Sequence, residues 1–557
     1  MIKALFGEGW QLMRNIAKEV YNSDLRDNQR HFLNFYDKNH DKNIIAEMPT
    51  GSGKSLIAMH IGLNHPDIGT VFIVTPTKDL MKQYERDFGH LDDVMLLAGK
   101  NEYNCIEGKE FNLSAESCTH DENKPCDFHY SMDRASSDCC EYSKRINLFS
   151  EYKVVVTNYH MMMALIQIKQ SKPWHSPLII WDEGHKFQDI IRDMAGIEYN
   201  SARMARITDD DLSDSIYKYI QNDEGNLQNI LNELDYYQKL YNTKETISRK
   251  RYLERIDKKL RIISQYEYLK PEPYEKEDDN GNRESCIRVI PVDYTQLTKA
   301  TYAKAAFNHL MMSGTIHYPQ MKTDNRLDIL EKITGMPMDV IYQTPVEYHF
   351  KQENIEKIAP VNLNNIYYNN SNNYNDFKNV YGPLIDLIKE KNVNTMIHFN
   401  AMWQCKHMKR ALRDLGYKKP VYDFHNGENN TKSKQKIKED FIRTGGVIVG
   451  SSLHEGLDFP GDQLEMVVIG RSKFVPYDEL DKFYPGEKDK IPNKIRKIWE
   501  GLKLRGVPNI EQEEYRLTTL QQIGRLQRKS DDEGIVVICN HKFIHRSISK
   551  DFDKVKI

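Results

Sequence analysis

Short apolar runs recur along the chain and are separated by longer stretches of mixed polarity. In the first half they are Asn43–Ala46, Thr70–Thr75, Lys153–Thr157 and Leu178–Trp181. In the second half they are Thr395–Phe399, Gly446–Gly450, Met466–Ile469 and Ile535–Ile538. Runs this short, without polar alternation, predict strands buried on both faces of a parallel sheet with helical crossovers. The repeated style predicts two α/β units of similar build. Two segments interrupt the first unit. Residues 98–145 are polar and cysteine-rich, and residues 188–298 read as helical. Within the latter, Leu227, Ile230, Leu231 and Leu234 fall on one helix face. Lys244–Ile263 predicts a basic helix, and Glu272–Glu284, beside Pro271 and Pro273, predicts an acidic loop. Asn364–Asn375, rich in Asn and Tyr, predicts a connector or lid.

Length and charge narrow the picture. A chain of 557 residues has room for about three or four domain-sized units. Its net charge of −3 confines any polyanion-binding surface to a local site. No run reaches the roughly 18 apolar residues that a spanning helix needs. The first residues, Met1 to Glu8, carry an early acid and no apolar core, so no signal peptide is expected. A cytoplasmic protein without a membrane partner is the expectation. Asn, Lys and Tyr richness points to an AT-rich genome, bacterial or viral. Eight cysteines without a signal do not form a secreted disulfide framework. Five of them, Cys105, Cys118, Cys126, Cys139 and Cys140, cluster; Cys286, Cys405 and Cys539 read as buried thiols.

The strongest chemical signal is Glu47-Met48-Pro49-Thr50-Gly51-Ser52-Gly53-Lys54-Ser55, between the run Asn43–Ala46 and a helix-like Leu56–Met59. A glycine-rich turn from strand to helix aims backbone N–H groups and the helix dipole at phosphates. Lys54 would reach the β- and γ-phosphates, and the Ser55 hydroxyl would help hold Mg²⁺. The usual first glycine is Met48 here. A surface turn of small residues would explain neither the apolar lead-in nor the Lys-Ser pair. Asp182-Glu183-Gly184-His185 follows the run Leu178–Trp181. An aspartate at a buried strand end can hold Mg²⁺, and the adjacent glutamate can orient or deprotonate a water. Alone, that tetrapeptide is weak. Near the C-terminus, Gln521, Arg525 and Arg528 stand in Gln-Gln-Ile-Gly-Arg-Leu-Gln-Arg. Arginine supplies the positive charge that phosphoryl transfer needs.

In this order the motifs resemble the XPD/DinG family of iron–sulfur helicases, within helicase superfamily two. Arg26-Asp27-Asn28-Gln29 resembles the family's Arg-x-x-Gln element, whose glutamine reads adenine. Glu47–Ser55 resembles motif I, and Thr75–Leu80 resembles motif Ia, a backbone contact to single-stranded DNA. Thr157-Asn158-Tyr159-His160 resembles the Val-Asn-His segment. Asp182–His185 is similar to Asp-Glu-Ala-His, and Ser313-Gly314-Thr315-Ile316 to Ser-Ala-Thr-Leu of motif III. His454-Glu455-Gly456-Leu457-Asp458-Phe459-Pro460-Gly461 is similar to motif V, with histidine in an aromatic position. Gln521, Gly524, Arg525 and Arg528 match motif VI. The resemblance runs from about residue 26 to 540.

The resemblance implies an α/β fold with two RecA-like motor domains. Motor domain 1 would comprise residues 1–97, 146–187 and 299–340, and motor domain 2 residues 341–557. Residues 98–145 would form an iron–sulfur insert and 188–298 a helical Arch-like insert. Cysteine spacing alone, Cys105-x₁₂-Cys118-x₇-Cys126-x₁₃-Cys140, leaves a cluster, zinc and unrelated thiols open. The place of the insert implies a [4Fe–4S] cluster. Cys140-Glu141-Tyr142 is similar to the family's closing Cys-Pro-Tyr, which favours Cys140 over Cys139. The implied cluster is structural, part of a strand-separating wedge. Lys244–Arg261 would line a pore by phosphate contacts, or is a solvated helix paired with Glu245, Glu254 and Asp257. Tyr252 and Tyr266 would stack on bases or pack.

The implied nucleotide site comprises Gln29, Pro49, Thr50, Gly51, Ser52, Gly53, Lys54, Ser55, Gly456 and Asp458. Its implied catalytic set is Lys54, Asp182, Glu183, Gln521, Arg525 and Arg528, acting on ATP with Mg²⁺. The implied output is 5′→3′ unwinding of single-stranded or tailed duplex DNA. Alternatives are an RNA or R-loop remodelling ATPase acting on an RNA:DNA hybrid, and an ATP-switched clamp that does not unwind. Glu183 and Arg525 argue against the clamp.

Overall fold

The computed structural model describes residues 14–49, 51–106, 115, 128, 130, 139–168, 174–222, 225–241, 246–264, 268–277, 283–291, 294–300, 302–314, 323–345, 353–363, 373–399, 401–424, 431–451, 453, 459, 463–470, 510–526, 532–539, 548 and 550–557. Thr50, Cys118, Cys126, Tyr266, Gly456, Asp458 and Arg528 lie outside the described residues, as does most of Asn364–Asn375.

The first half contains β1 (Ile44–Glu47), β2 (Val71–Thr75), β3 (Val94–Leu97), β4 (Val154–Asn158), β5 (Leu178–Asp182), β6 (Ile197–Asn200), β7 (Tyr268–Glu277), β8 (Arg283–Pro291), β9 (Asn308–Ser313) and β10 (Val340–Gln343). Seven of them form one parallel sheet in the order β10-β1-β9-β5-β2-β4-β3. All five residues of β2 and of β5 are buried. Their side chains alternate between two cores. Ile45, Phe72, Val74, Ile179, Trp181 and Met311 pack on one face; Ile44, Ile73, Val156, Ile180, Leu310 and Met312 pack on the other. Two-sided burial explains the continuous apolar runs, since neither face meets water. β10 pairs with β1, so the first sheet extends past the expected boundary at 340.

The second half repeats the architecture with β11 (Ile355–Pro360), β12 (Thr395–His398), β13 (Val421–Phe424), β14 (Val447–Gly450), β15 (Met466–Ile469), β16 (Gly534–Ile538) and β17 (Asp553–Val555). Their order is β13-β14-β12-β15-β16-β11-β17, again parallel. Two cores flank this sheet as well. The expected two α/β units are present.

The segment after β5 departs from the expected all-helical build. Helices Ser201–Ile207, Asp210–Asn222, Leu227–Leu240 and Ile247–Ile263 pack on an antiparallel sheet, β6-β8-β7. The expected acidic loop is replaced by β7 and β8. Pro271 and Pro273 lie on an edge strand, where a missing N–H can face away from the ladder. The register shifts between Leu269 and Glu272, around Pro271. Ile197, Tyr199, Ile287 and Val289 supply this sheet's buried face, against Ile230, Leu231, Leu234 and Leu253. Tyr252 packs: it is buried, with the Arg203 and Arg255 guanidinium groups 4.5 and 5.6 Å from its ring centre. Lys259 anchors the basic helix, donating to the Met194 carbonyl and to the Gly196 carbonyl at 2.6 Å. These carbonyls end the helix Phe187–Ala195, where a cation is favoured. Arg261 pairs with Asp257 at 3.0 Å. No helix among the described residues is long and apolar enough to cross a membrane.

Three buried histidines make the fold sensitive to acid. Burial pushes His60, His65 and His309 down to about 4. Nδ1 of His309 accepts from the Trp181 indole N–H at 3.2 Å, an arrangement that protonation destroys. Unfolded histidine titrates near ~6.5. Above that value both states are neutral and the stability is complete. As pH falls from about 6.5 to about 4 the unfolded chain binds protons first, and each histidine removes roughly 1.4 kcal/mol per pH unit. Urea midpoints measured between pH 7.5 and 5 should therefore drop steeply below about 6.5; a flat profile would contradict neutral burial.

Candidate active site

The sheet order places three neighbouring strand ends together. β1 runs into Met48–Gly53, β9 ends at Ser313 and β5 ends at Asp182. The Met48 N–H donates to the Ser313 carbonyl at 2.8 Å. Met48 is fully buried in the core, so a side chain serves where the usual motif has glycine. Gly51 and Gly53 have φ of 80° and 84°, a region that side chains disfavour. A Cβ on Gly53 would lie 2.3 Å from Gln29 Nε2. The helix Lys54–Asn64 starts immediately after it.

The loop is braced from outside. The Gln29 amide N–H donates to the Ser52 carbonyl at 3.0 Å, while its Oε1 accepts from the Arg26 N–H at 2.9 Å. Arg26 donates to the Gly51 carbonyl at 2.9 Å. The Arg-x-x-Gln element thus grips the loop's carbonyls and leaves its amides to face a ligand. Ser52 Oγ is buried with no hydrogen-bond partner among the described residues, and Lys54 is buried. A buried hydroxyl and ammonium beside a cradle of glycines suit a phosphate chain.

Asp182 is buried. Its Oδ1 accepts from the Glu183 N–H at 2.9 Å and its Oδ2 from the Tyr84 hydroxyl at 2.8 Å. Burial, followed by the charge of Glu183, raises the Asp182 carboxyl above the usual range. Burial opposes ionisation of Glu183 too, but Lys54, His185 and Arg525 outweigh it and hold that carboxyl low. Glu183 adopts φ 50°, ψ 48°, a left-handed conformation costing on the order of 1–3 kcal/mol. That turn aims the carboxylate away from β5 and toward Ser313 and His185.

A polar chain leaves Glu183. Its Oε2 lies 3.3 Å from His185 Nδ1 and 3.5 Å from Ser313 Oγ. Ser313 Oγ and His185 Nδ1 are 2.7 Å apart. Gln521 Nε2 donates to His185 Nε2 at 2.9 Å, so the ring proton resides on Nδ1, facing Ser313 and Glu183. Gln521 lies on the helix Ile510–Ile523 of the second unit. The structure therefore brings Lys54, Asp182, Glu183 and Gln521 together and places the charge of Arg525 within reach of Glu183. Pattern reading missed Tyr84 as a site residue. Its spacing from Met81 and Phe88 marks only a core face, and its hydroxyl leaves no periodic trace.

The described ends of the cysteine-rich insert lie side by side. Tyr103 and Tyr142 have ring centres 5.7 Å apart, Lys100 sits 5.3 Å over Tyr142 and Arg145 sits 5.7 Å over Tyr103. Cys105 and Cys140, each two residues from one of these tyrosines, are held on adjacent segments. Cys140 is half-buried at the N-terminus of the helix Glu141–Leu148. Cys139 is buried. The other two expected ligands, Cys118 and Cys126, lie outside the described residues, and no metal-holding group of three or more side chains occurs among the described ones.

Comparison with known proteins adds a family context. A family described as "Helicase C-terminal domain" matches residues 384–555. Another, "Type III restriction enzyme, res subunit", matches residues 13–209. The chain is 35% identical over 127 residues to the ATP-dependent DNA helicase YoaA of Haemophilus influenzae, covering 22% of this chain and 18% of that one. It is 27% identical over 170 residues to the ATP-dependent DNA helicase DinG of Photobacterium profundum, covering 28% and 22%. The matched segments thus span about a fifth of these relatives' length. Among solved structures, an XPD helicase superposes with a TM-score of 0.62 at 15% identity, over 96% of this chain and 100% of that one. Xpd4 of S. tokodaii gives 0.53 at 15% identity, over 94% and 97%. At that identity the likeness establishes the fold.

Proposed function

We propose that this chain, an XPD/DinG-like member of helicase superfamily two, is an ATP-driven helicase that moves 5′→3′ along single-stranded DNA and parts duplex strands. The bond from Gln521 to His185 carries the reading, because it ties the arginine-bearing helix of the second unit to the carboxylates of the first. The loop amides with Pro49, Thr50, Ser52 and Lys54 bind the nucleotide phosphates, and Gln29, whose amide is engaged at both ends, serves the nucleotide by bracing that loop. Ser55 and Asp182 hold Mg²⁺, which when bound neutralises charge on the phosphates. Glu183, kept ionised, orients the attacking water and takes its proton. Arg525 and Arg528 bring positive charge from the second unit, and Gly456 and Asp458 help couple the nucleotide to the strand. Opening the two units withdraws Arg525 from Glu183, so hydrolysis requires closure, and closure moves the strand. Cys105, Cys118, Cys126 and Cys140 hold a [4Fe–4S] cluster that stiffens the strand-separating wedge. The clasp of Tyr103 and Tyr142 supports this.

Strand displacement on 5′-tailed and 3′-tailed DNA and RNA duplexes tests the proposal. ATP-dependent release of the 5′-tailed DNA strand is expected. Release from RNA alone would favour a remodelling ATPase, and ATP turnover without release a clamp. In the same assay Cys105→Ser should lose iron and unwinding but retain strand-stimulated ATPase. Stoichiometric zinc in the native protein, without charge-transfer absorbance, would overturn the cluster.

A further inference from the structure

Tyr84 lies 98 residues from Asp182 in the chain, yet its hydroxyl donates to Asp182 Oδ2 at 2.8 Å. It is 1% exposed and shares the buried face of the helix Lys78–Phe88 with Met81 and Phe88. Asp182 Oδ1 is taken by the Glu183 N–H, so each oxygen of the carboxylate has one protein donor, and these two bonds set its plane. The other end of the same helix opens on Thr77, whose hydroxyl accepts from the Leu80 N–H at 3.2 Å. Lys78 follows, with its side chain half exposed and paired with Glu102, an ion pair that strand binding would have to exchange for phosphate. Thr77 and Lys78 belong to the segment read as the strand contact. A helix rises ~1.5 Å per residue, so Tyr84 trails Thr77 by about 10 Å along one rigid rod. A push on the helix start therefore reaches the carboxylate through the Tyr84 hydroxyl, which also bonds Ser55.

We propose that Tyr84 is a positioning residue that transmits single-strand binding at Thr77–Lys78 to the Mg²⁺-holding carboxylate of Asp182, so that strand occupancy sets how firmly the metal–nucleotide complex is held. The inference rests on the function proposed above. Coupling of this kind is reciprocal, so the strand must change the Mg²⁺ requirement and Mg²⁺–nucleotide must change strand affinity.

The test is ATP turnover by the full chain across a Mg²⁺ titration, with and without oligo-dT. In the native protein oligo-dT should lower the half-saturating Mg²⁺ several-fold; a value indifferent to the strand overturns the inference without any variant. Tyr84→Phe keeps the ring that packs 5.8 Å from Phe88 and removes the donor to Asp182 together with the hydroxyl's bond to Ser55. Losing a hydrogen bond to a charged group is worth about tenfold or more. Tyr84→Phe should raise the half-saturating Mg²⁺ by about tenfold and abolish stimulation by oligo-dT. Nucleotide-free strand affinity should stay near native, while melting temperature should fall by a few degrees for the buried bond lost. Native Mg²⁺ dependence in Tyr84→Phe, or a raised requirement with stimulation intact, overturns the role. A native protein with no strand-stimulated turnover at all brings down the proposed function and this inference together.

Discussion

Arg525→Ala lowers ATP turnover by about 10³–10⁵, while nucleotide-free affinity for single-stranded DNA stays within a few-fold of native. The turn that presents Arg525 is firmly built. The Gly524 N–H donates to the Leu520 carbonyl at 2.8 Å and the Leu526 N–H to the Ile523 carbonyl at 3.1 Å, and Leu526 is buried in the second core. The side chain thus acts on Glu183 from a fixed base, and its loss removes charge without loosening the fold. Arg525→Lys should recover little, because a point charge does not reproduce the guanidinium fork. Phosphate release and fluorescence anisotropy measured on one preparation read both quantities. Turnover within tenfold of native would remove Arg525 from the transition state.

Lys54→Ala should abolish measurable ATP hydrolysis and weaken nucleotide binding, with strand binding retained in the absence of nucleotide. Lys54 sits between the glycine turn and two carboxylates, and its charge lowers both of them. Without it the pair loses the protein's own cation between it and the phosphates, and repulsion between like charges grows where the native site attracts. Nucleotide binding by calorimetry and phosphate release decide the matter. Hydrolysis persisting in Lys54→Ala would falsify the phosphate assignment.

Much of the frame was legible because two-sided burial writes itself as short apolar words. β2, β4, β5, β12, β14, β15 and β16 lie within about a residue of the runs that predict them. β9 was not read as a strand: Asn308-His309-Leu310-Met311-Met312-Ser313 lacks β-branched residues, and its burial comes from neighbours that only folding supplies. β7 was hidden by prolines and charges that an edge strand tolerates. In the site, the glycine turn, Asp182-Glu183 and Arg525 stood out because their chemistry depends on local order. The bonds Tyr84–Asp182, His185–Ser313 and Gln29–Ser52 did not. Each joins residues brought near by tertiary structure, and no spacing along the chain encodes such a meeting.

The strands that begin and end the central insert carry a consequence for how such machines diversify. Ile197 and Val289 are register partners in neighbouring antiparallel strands, a separation of about 5 Å. Nearly a hundred residues thus leave and rejoin the first α/β unit at one strand pair, with Lys259 and Arg288 giving side-chain ties back to the end of the helix Phe187–Ala195. A linker of a few residues would bridge that strand pair, and a cassette of different shape could be spliced in without disturbing the parallel sheet.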